Sequence, residues 1–404
     1  MHIAVFSQYH TNPDCPATSR HYSLLAQLAR KHRITLITTR TWERQRLTYE
    51  FPWLPEGVTM RAAEVSYENK MGVARRILSF GQYAAYALRE GVRLEKPDVI
   101  WGISTPLTAA WAAAQVARLR RVPWVFEVQD LWPSFPIAMG AVPNLFAQRR
   151  LFDLEKSLYQ SARHVLPLSP DMTSYVRQLG ISADKVTTVL NGTDLDLAAC
   201  ATSAAVAALR QQQGLEGQRV ILYAGTFGRA NAIPTLLAAA VQLAPQHPDV
   251  TWLFMGHGFH QEIVEQAAAT YPFIRLVAPQ PRHAVFTWFR LADVAVVSFL
   301  GLPVLDANSP AKFYDSLAVG TPVIVTNAGW TKTFVEQHRC GWYSPAEDVD
   351  ALVFTIATVL RDKNLLRTAG DAGKEVAQKY FDRQQIGNII EQVLENTCTH
   401  QMTW

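Results

Sequence analysis

Asp306-Ala307-Asn308-Ser309-Pro310-Ala311-Lys312-Phe313-Tyr314-Asp315-Ser316-Leu317-Ala318-Val319-Gly320-Thr321-Pro322-Val323-Ile324 is the stretch that decides both the fold and the place of the chemistry. Ser309-Pro310 reads as a helix N-cap followed by proline at the first helical position. The spacing predicts a helix to Val319, a stop at Gly320 and then a buried strand. A helix start offers free N–H groups and a positive dipole end, which suits a diphosphate. Lys312 falls in the first turn, where a cation opposes the dipole, so an anion that it meets explains it better. Asp315, one turn further along the same face, is placed to accept hydrogen bonds from two ribose hydroxyls. A capped surface helix with an incidental ion pair is the alternative.

Outward from this segment, short apolar runs alternate with helical patterns. In the first half, strands are expected at 2–6, 34–39, 58–65, 98–103, 124–128, 164–168 and 186–190. Helices are expected at 19–31, 73–93, 107–119, 144–161 and 170–178. In the second half, strands are expected at 219–224, 251–255, 274–277, 293–298 and 322–326, with helices at 233–243, 260–269, 284–291 and 312–319. From 348 to about 395 only helical patterns follow. Fully apolar strands such as 122–128 fit a parallel sheet covered on both faces. Two successive βα arrays predict an α/β protein of two doubly wound, Rossmann-like domains facing a central cleft, with ligands at the carboxyl ends of the strands. Asn191-Gly192-Thr193-Asp194 is a strong turn signal and marks the boundary. The expected division is 1–195, 196–378 and a C-terminal helical piece, 379–404, packing back toward the first domain.

The 404 residues are 49% apolar and 18% charged, which excludes a disordered or fibrous class and leaves room for two cores. Cys15, Cys200, Cys340 and Cys398 are scattered and form no C-x-x-C pair, which favours a reduced compartment without a structural zinc site. The apolar start, residues 1–6, is too short for a signal-peptide core, and no charge-free apolar window is long enough to span a bilayer. A cytoplasmic protein, soluble or peripheral on the inner membrane, is expected. Residues 1–196 carry 23 Lys and Arg against 17 Asp and Glu, whereas residues 197–404 carry 15 against 17. Blocks such as Arg30-Lys31-His32-Arg33, Arg75-Arg76, Arg118-Leu119-Arg120-Arg121 and Arg149-Arg150 make the difference. They read either as solvated helix ends or as a surface leaning on anionic lipid. Nucleic acid is not expected, since no basic–aromatic interleaving or binding module is present.

Three loops add to the first segment. In Tyr223-Ala224-Gly225-Thr226-Phe227-Gly228-Arg229, backbone at Gly225, Thr226 and Gly228 can approach a phosphate and Arg229 can bind it bidentately. An ordinary tight βα turn is the alternative. Glu127-Val128-Gln129-Asp130-Leu131-Trp132-Pro133 ends a buried strand in an aromatic loop, placing Glu127 and Asp130 where a donor sugar or acceptor would lie. The loop 7–20 carries His10, Asn12, Thr18 and Arg20 toward the same place.

The stretch 306–324 resembles the signature of retaining glycosyltransferase family four: an acidic residue, seven positions, a second acidic residue, then a small-residue run ending in Gly-x-Pro-Val. Asp315 matches the second acidic position, which the resemblance implies holds the nucleotide ribose, and Gly320, Pro322 and Val323 match the tail. The first acidic position falls at Ala307, so the carboxylate that usually meets the donor sugar is absent, with Asp306 or Asn308 as possible stand-ins. Asn191–Asp194 resembles the family's hinge, Gly225–Arg229 its phosphate loop, and Met255-Gly256-His257-Gly258 its Gly-x-Gly turn. Arg282 precedes the helix near which the family seats the base. Together with 135–142, the Asp130-Leu131-Trp132-Pro133 motif and the Asn-Ser-Pro-x-Lys form are similar to a subgroup of bacterial surface-polysaccharide transferases, including those that move N-acetyl-L-fucosamine.

The resemblance implies a retaining transferase that needs no metal and no cofactor. It would take a nucleotide sugar, UDP-linked in expectation, and a lipid-diphosphate-linked saccharide acceptor in O-antigen or capsule assembly. Arg229, Lys312 and the helix start would meet the charge developing on the leaving diphosphate, with Asp130 as the third catalytic candidate. Ser309, Lys312 and Asp315 join the loop residues as diphosphate and nucleotide contacts; Asn308, Arg20, His10 and Arg282 join Glu127 and Asp130 on the sugar or acceptor side. Two rivals stand beside it: a sugar-nucleotide epimerase of the same fold, which would want more acid–base groups than are seen, and a non-catalytic sugar-nucleotide-binding partner of an assembly complex, supported only by Ala307.

Overall fold

The computed structural model describes residues 1–66 and 71–399. Among them, the apolar runs form twelve strands in two parallel sheets. The first sheet contains β1 (His2–Phe6), β2 (Arg33–Thr39), β3 (Val58–Ala63), β4 (Val99–Ile103), β5 (Trp124–Val128) and β6 (His164–Pro167), ordered β3-β2-β1-β4-β5-β6. The second contains β7 (Arg219–Ala224), β8 (Val250–Met255), β9 (Ile274–Val277), β10 (Val294–Val297), β11 (Val323–Val325) and β12 (Gly341–Tyr343), ordered β12-β11-β10-β7-β8-β9. Both are doubly wound: strand addition reverses between β1 and β4, and again between β7 and β10. β1 is buried along its whole length, with Ile3 beside Ile34 on one side and Val99 on the other. Helices on both faces are what allow such uninterrupted apolar strands. Ligand crevices in sheets of this kind lie outside the strand carboxyl ends at the reversal points.

Three departures from expectation have local causes. Residues 186–190 do not form a seventh strand. They run beside β6 through Thr187 N–H to the Val165 carbonyl (3.1 Å) and Val189 N–H to the Pro167 carbonyl (2.9 Å), but Pro167 has no N–H to extend the ladder. β12, between the last expected strand (322–326) and the helical stretch expected from 348, has no counterpart in the sequence pattern, being too short at three residues to show a period. The helix Trp330–His338 before it, whose N-cap Gly329 makes no side-chain cap, also passed unseen.

The junction between lobes is built on buried charge. Gly192 has φ +64°, and a Cβ there would lie 2.8 Å from the Phe381 carbonyl oxygen, so only glycine fits. Thr193 N–H bonds the Phe381 carbonyl (2.8 Å) and Arg383 N–H bonds the Thr193 carbonyl (3.1 Å). The Arg383 guanidinium pairs with Asp194 and donates to the Gly192 carbonyl (2.8 Å). The helix Arg383–Thr399 then lies on the helix Arg20–Leu28, and its Ile386, Ile390 and Leu394 join the core of the first sheet. Lys31 and His32 both reach Glu391 at 3.0 Å. No helix among the described residues is long and apolar enough to cross a membrane.

Arg383→Ala leaves the buried Asp194 carboxylate without its cation. Urea unfolding should show a loss of about 3–5 kcal/mol; a loss below about 1 kcal/mol would mean that the pair does not hold the junction.

Candidate active site in the interlobe cleft

Three glycines bring two loops together at the carboxyl ends of β7 and β8. Gly225, Gly256 and Gly258 have φ of +141°, +145° and +151°. A Cβ on Gly256 would stand 1.9 Å from the Gly225 carbonyl oxygen, and one on Gly258 would stand 2.9 Å from that of Phe227. Phe227 N–H donates to the His257 carbonyl and His260 N–H to the Phe227 carbonyl, both at 2.8 Å. The 225–228 loop is thereby pressed flat over the Gly-x-Gly turn.

Onto this floor comes Lys312. Its Nζ lies 3.9 Å from the centre of the Tyr223 ring and 5.8 Å from that of Phe299, which follows β10. A Cβ on Gly225 would stand 3.3 Å from it. The ammonium therefore occupies the point where strand order reverses between β7 and β10. It is shielded from solvent and has no hydrogen-bond partner among the described residues. Burial alone lowers its pKa to about 7. Ring quadrupoles offset part of the lost hydration, but a buried cation without a counter-charge remains costly. Such a group is poised for an anion. Arg229 stands exposed at the rim, its guanidinium 4.0 Å from the Phe259 ring centre.

The helix bearing Lys312 is Ala311–Ala318, fixed at its back by Phe313, Tyr314, Trp330 and Phe381, with Tyr314 and Phe381 ring centres 4.7 Å apart. Gly320 (φ +82°) ends it in a Schellman motif: Gly320 N–H to the Leu317 carbonyl and Thr321 N–H to that of Ser316. At its start the cap position is Pro310, and the expected role of Ser309 is corrected. The Ser309 hydroxyl bonds the Tyr314 hydroxyl at 2.5 Å, and its carbonyl accepts from Asn191 Nδ2 at 2.9 Å, so its side chain is turned inward rather than toward a phosphate.

Asp315 is also corrected. Both of its oxygens bind the Arg282 guanidinium, and Thr193 Oγ1 donates to one of them at 2.7 Å. With Asp315 1% and Arg282 4% exposed, neither is free for ribose or base. Arg282 N–H also bonds the Cys15 carbonyl across the cleft (3.1 Å). The trio ties the helix to the hinge and to the 7–20 loop.

On the facing lobe the structure divides the candidates. Glu127 is wholly buried and accepts from Arg20 Nε, His21 Nε2 and Gln129 Nε2, each at 3.2 Å. Burial pushes its pKa up, but the Arg20 charge and the His21 contact outweigh this and hold it at about 2. Arg20 also donates to the Leu190 (2.9 Å) and Asn191 (2.7 Å) carbonyls, so this pair braces the hinge instead of meeting a sugar. His10 is sealed under Trp53, bonded to its carbonyl at 3.0 Å, and burial lowers its pKa to about 4; it is a neutral interior group. Asp130 differs. Thr105 Oγ1 donates to one oxygen at 3.0 Å, the other has no bond among the described residues, and burial raises its pKa. At the position lacking a carboxylate, Ala307 packs into the first lobe's core, and its carbonyl accepts from Ser169 Oγ at 2.6 Å. Asp306 caps Ala328 N–H at 2.8 Å, whereas the Asn308 side chain makes no hydrogen bond among the described residues. The cation-facing roles of the Tyr223, Phe259 and Phe299 rings are not legible in the sequence, because aromatics near strand ends look like core until the partner cation is placed against them.

Two lobes of this topology closing on one cleft define the GT-B class. Residues 17–192 match the family model described as glycosyl transferase 4-like domain, and residues 206–376 match that of glycosyl transferases group 1. The chain belongs to family four of the glycosyltransferases. The D-inositol 3-phosphate glycosyltransferase of Kribbella flavida is 24% identical over 67% of this chain and 66% of its own length. A glycogen synthase of Mycobacterium tuberculosis is 23% identical over 76% of this chain and 72% of its own. The chain spans about half to two thirds of the length of the curated relatives it matches first, 54% for one from Bacillus subtilis. Among solved structures, sucrose-phosphate synthase of Thermosynechococcus elongatus superposes with a TM-score of 0.77 at 20% identity, covering 98% of both chains. Anabaena HepE, solved with UDP-glucose, gives 0.72 at 17% identity, covering 98% of this chain and 100% of that one.

Because Lys312 titrates near 7 when unpaired, it is largely neutral at pH 8, and an anion beside it restores the charge. Calorimetry in buffers of different ionisation enthalpy should therefore show about one proton taken up per nucleoside diphosphate at pH 8 and close to none at pH 6, where the group is already charged. Equal uptake at both values would contradict the assignment.

Proposed function

We propose that the chain transfers a sugar from a UDP-sugar to a lipid-diphosphate-linked saccharide, with retention of anomeric configuration, in surface-polysaccharide assembly. The observation that carries this is the unpartnered Lys312 ammonium at the β7–β10 reversal point, in a family-four chain. The solved complexes of HepE with UDP and with UDP-glucose support the choice of nucleotide. The donor's anomeric C–O bond breaks, its electron pair going to the β-phosphate. The acceptor hydroxyl oxygen forms the new bond and passes its proton to the departing β-phosphate oxygen. Lys312 and the first-turn N–H groups of Ala311–Ala318 stabilise the charge left on the diphosphate, with Arg229 closing from the rim. These fixed positive groups do the work a metal would otherwise do, so transfer is expected without one. The unbonded oxygen of Asp130 and the uncommitted amide of Asn308 are assigned to the donor sugar. With an amide in place of the missing carboxylate at Ala307, the donor is expected to depart from a simple glucose-type sugar, and an N-acetylated 6-deoxyhexosamine such as N-acetyl-L-fucosamine is the proposed class.

Turnover measured against a panel of nucleotide sugars tests this. Lys312→Met should lower kcat by about 10²–10³, the usual cost of one donor to a developing oxyanion, while raising thermal stability or leaving it unchanged, because a buried unpaired cation is removed. A variant that is both active and destabilised would overturn the role. Asp130→Asn should keep nucleotide affinity and lose kcat by at least about tenfold; a weakened affinity for UDP alone would move Asp130 out of the sugar subsite.

A further inference from the structure

The four basic blocks of the first lobe meet different fates. In Arg30-Lys31-His32-Arg33, Lys31 and His32 are held by Glu391, and Arg33 is paired with Glu95 at 2.8 Å. In the 118–121 block, Arg120 donates to the Val92 and Leu94 carbonyls. Arg75, Arg149 and Arg150 are exposed and make no ion pair among the described residues. They are interleaved with four strongly exposed large apolar side chains: Ile77 at 63%, Leu78 at 61%, Leu145 at 78% and Phe146 at 67%.

These residues lie in the first turns of two helices, Val73–Arg93 and Leu145–Ser161. Each packs on Leu107–Arg120, which lies between them, so the three form one layer on one face of the first sheet. Each follows a strand's carboxyl end, directly or by a loop, so the layer's helices start at the cleft edge. Phe80 of the first helix touches Trp132 of the Asp130 loop at 5.8 Å between ring centres, so this rim borders the proposed sugar site. Arg150 lies over Phe146 at 5.0 Å. Exposed aliphatic and aromatic groups carrying guanidinium heads are the composition of a surface that sits in a lipid interface, the chains entering the acyl boundary and the arginines meeting headgroup phosphates. Asp153 is an exposed acidic residue on this face, leaving the excess of charge positive.

We infer that this rim, formed by Ile77, Leu78, Leu145 and Phe146 with Arg75, Arg149 and Arg150, docks on an anionic lipid bilayer and presents the cleft to a lipid-linked acceptor. It rests on the acceptor class proposed above, but its test does not require turnover. The full chain should sediment with vesicles of phosphatidylglycerol and phosphatidylcholine, and about tenfold less with phosphatidylcholine alone. Ile77→Glu/Leu78→Glu and, separately, Leu145→Glu/Phe146→Glu should each reduce sedimentation at least about tenfold, with UDP affinity and melting temperature unchanged. Arg149→Ala/Arg150→Ala should remove the preference for anionic lipid and keep the residual binding. Sedimentation that is equal with both vesicle types, or that survives both apolar double substitutions, would overturn the docking face. Loss of UDP binding in the unsubstituted chain would instead strike the transferase assignment.

Discussion

A single ammonium group without a counter-ion organises the second lobe. Lys312 Nζ is held against Tyr223 at the point where the sheet reverses, and nothing among the described residues neutralises it. To bring it there, the helix Ala311–Ala318 must begin beside the β7 loop, so Gly225 must lack a side chain. The loop must in turn lie flat, which requires glycine at 256 and 258. The aromatic cluster behind the helix fixes its axis, and the Schellman turn at Gly320 returns the chain into β11. Each of these is ordinary packing; together they hold a desolvated charge that folding alone would not favour.

The junction depends on the opposite arrangement, charge that is fully matched. Arg282–Asp315, Arg20–Glu127 and Arg383–Asp194 are buried guanidinium–carboxylate pairs clustered about residues 190–194. Guanidinium forks add planar hydrogen-bond geometry to the attraction, so they define orientation as well as closeness. They connect the 7–20 loop, the hinge, the nucleotide-side helix and the C-terminal helix. The cleft width is thus set by directional bonds rather than by apolar contact alone.

Sequence pattern captured the architecture because parallel strands buried on both faces are apolar throughout, and turn residues bound them sharply. Helices Val73–Arg93, Pro170–Gln178 and Ile233–Leu243 begin and end where expected. β12 escaped because three residues carry no period, and 186–190 misled because an apolar run beside an edge strand looks like a strand until Pro167 denies it a donor. Lys312 stands out in the sequence because a cation in a helix's first turn contradicts the dipole. Asp315, Arg282, Arg20 and Glu127 were misassigned for one reason: a charged residue at a strand or helix end looks the same in sequence whether it awaits a ligand or is already paired with a distant partner. Only the partner's position distinguishes the two, and here the partners are 33 and 107 residues apart.

The central claim is that Lys312 exists to meet the second phosphate of a nucleotide. Titration calorimetry with UDP and with UMP, on the unsubstituted chain and on Lys312→Met, separates that contact from those of Arg229 and the helix start. The account predicts that UDP binds the unsubstituted chain more tightly than UMP, and that Lys312→Met reduces this preference roughly 10- to 100-fold, the span of a charge-assisted contact. An undiminished preference for UDP in Lys312→Met would contradict it.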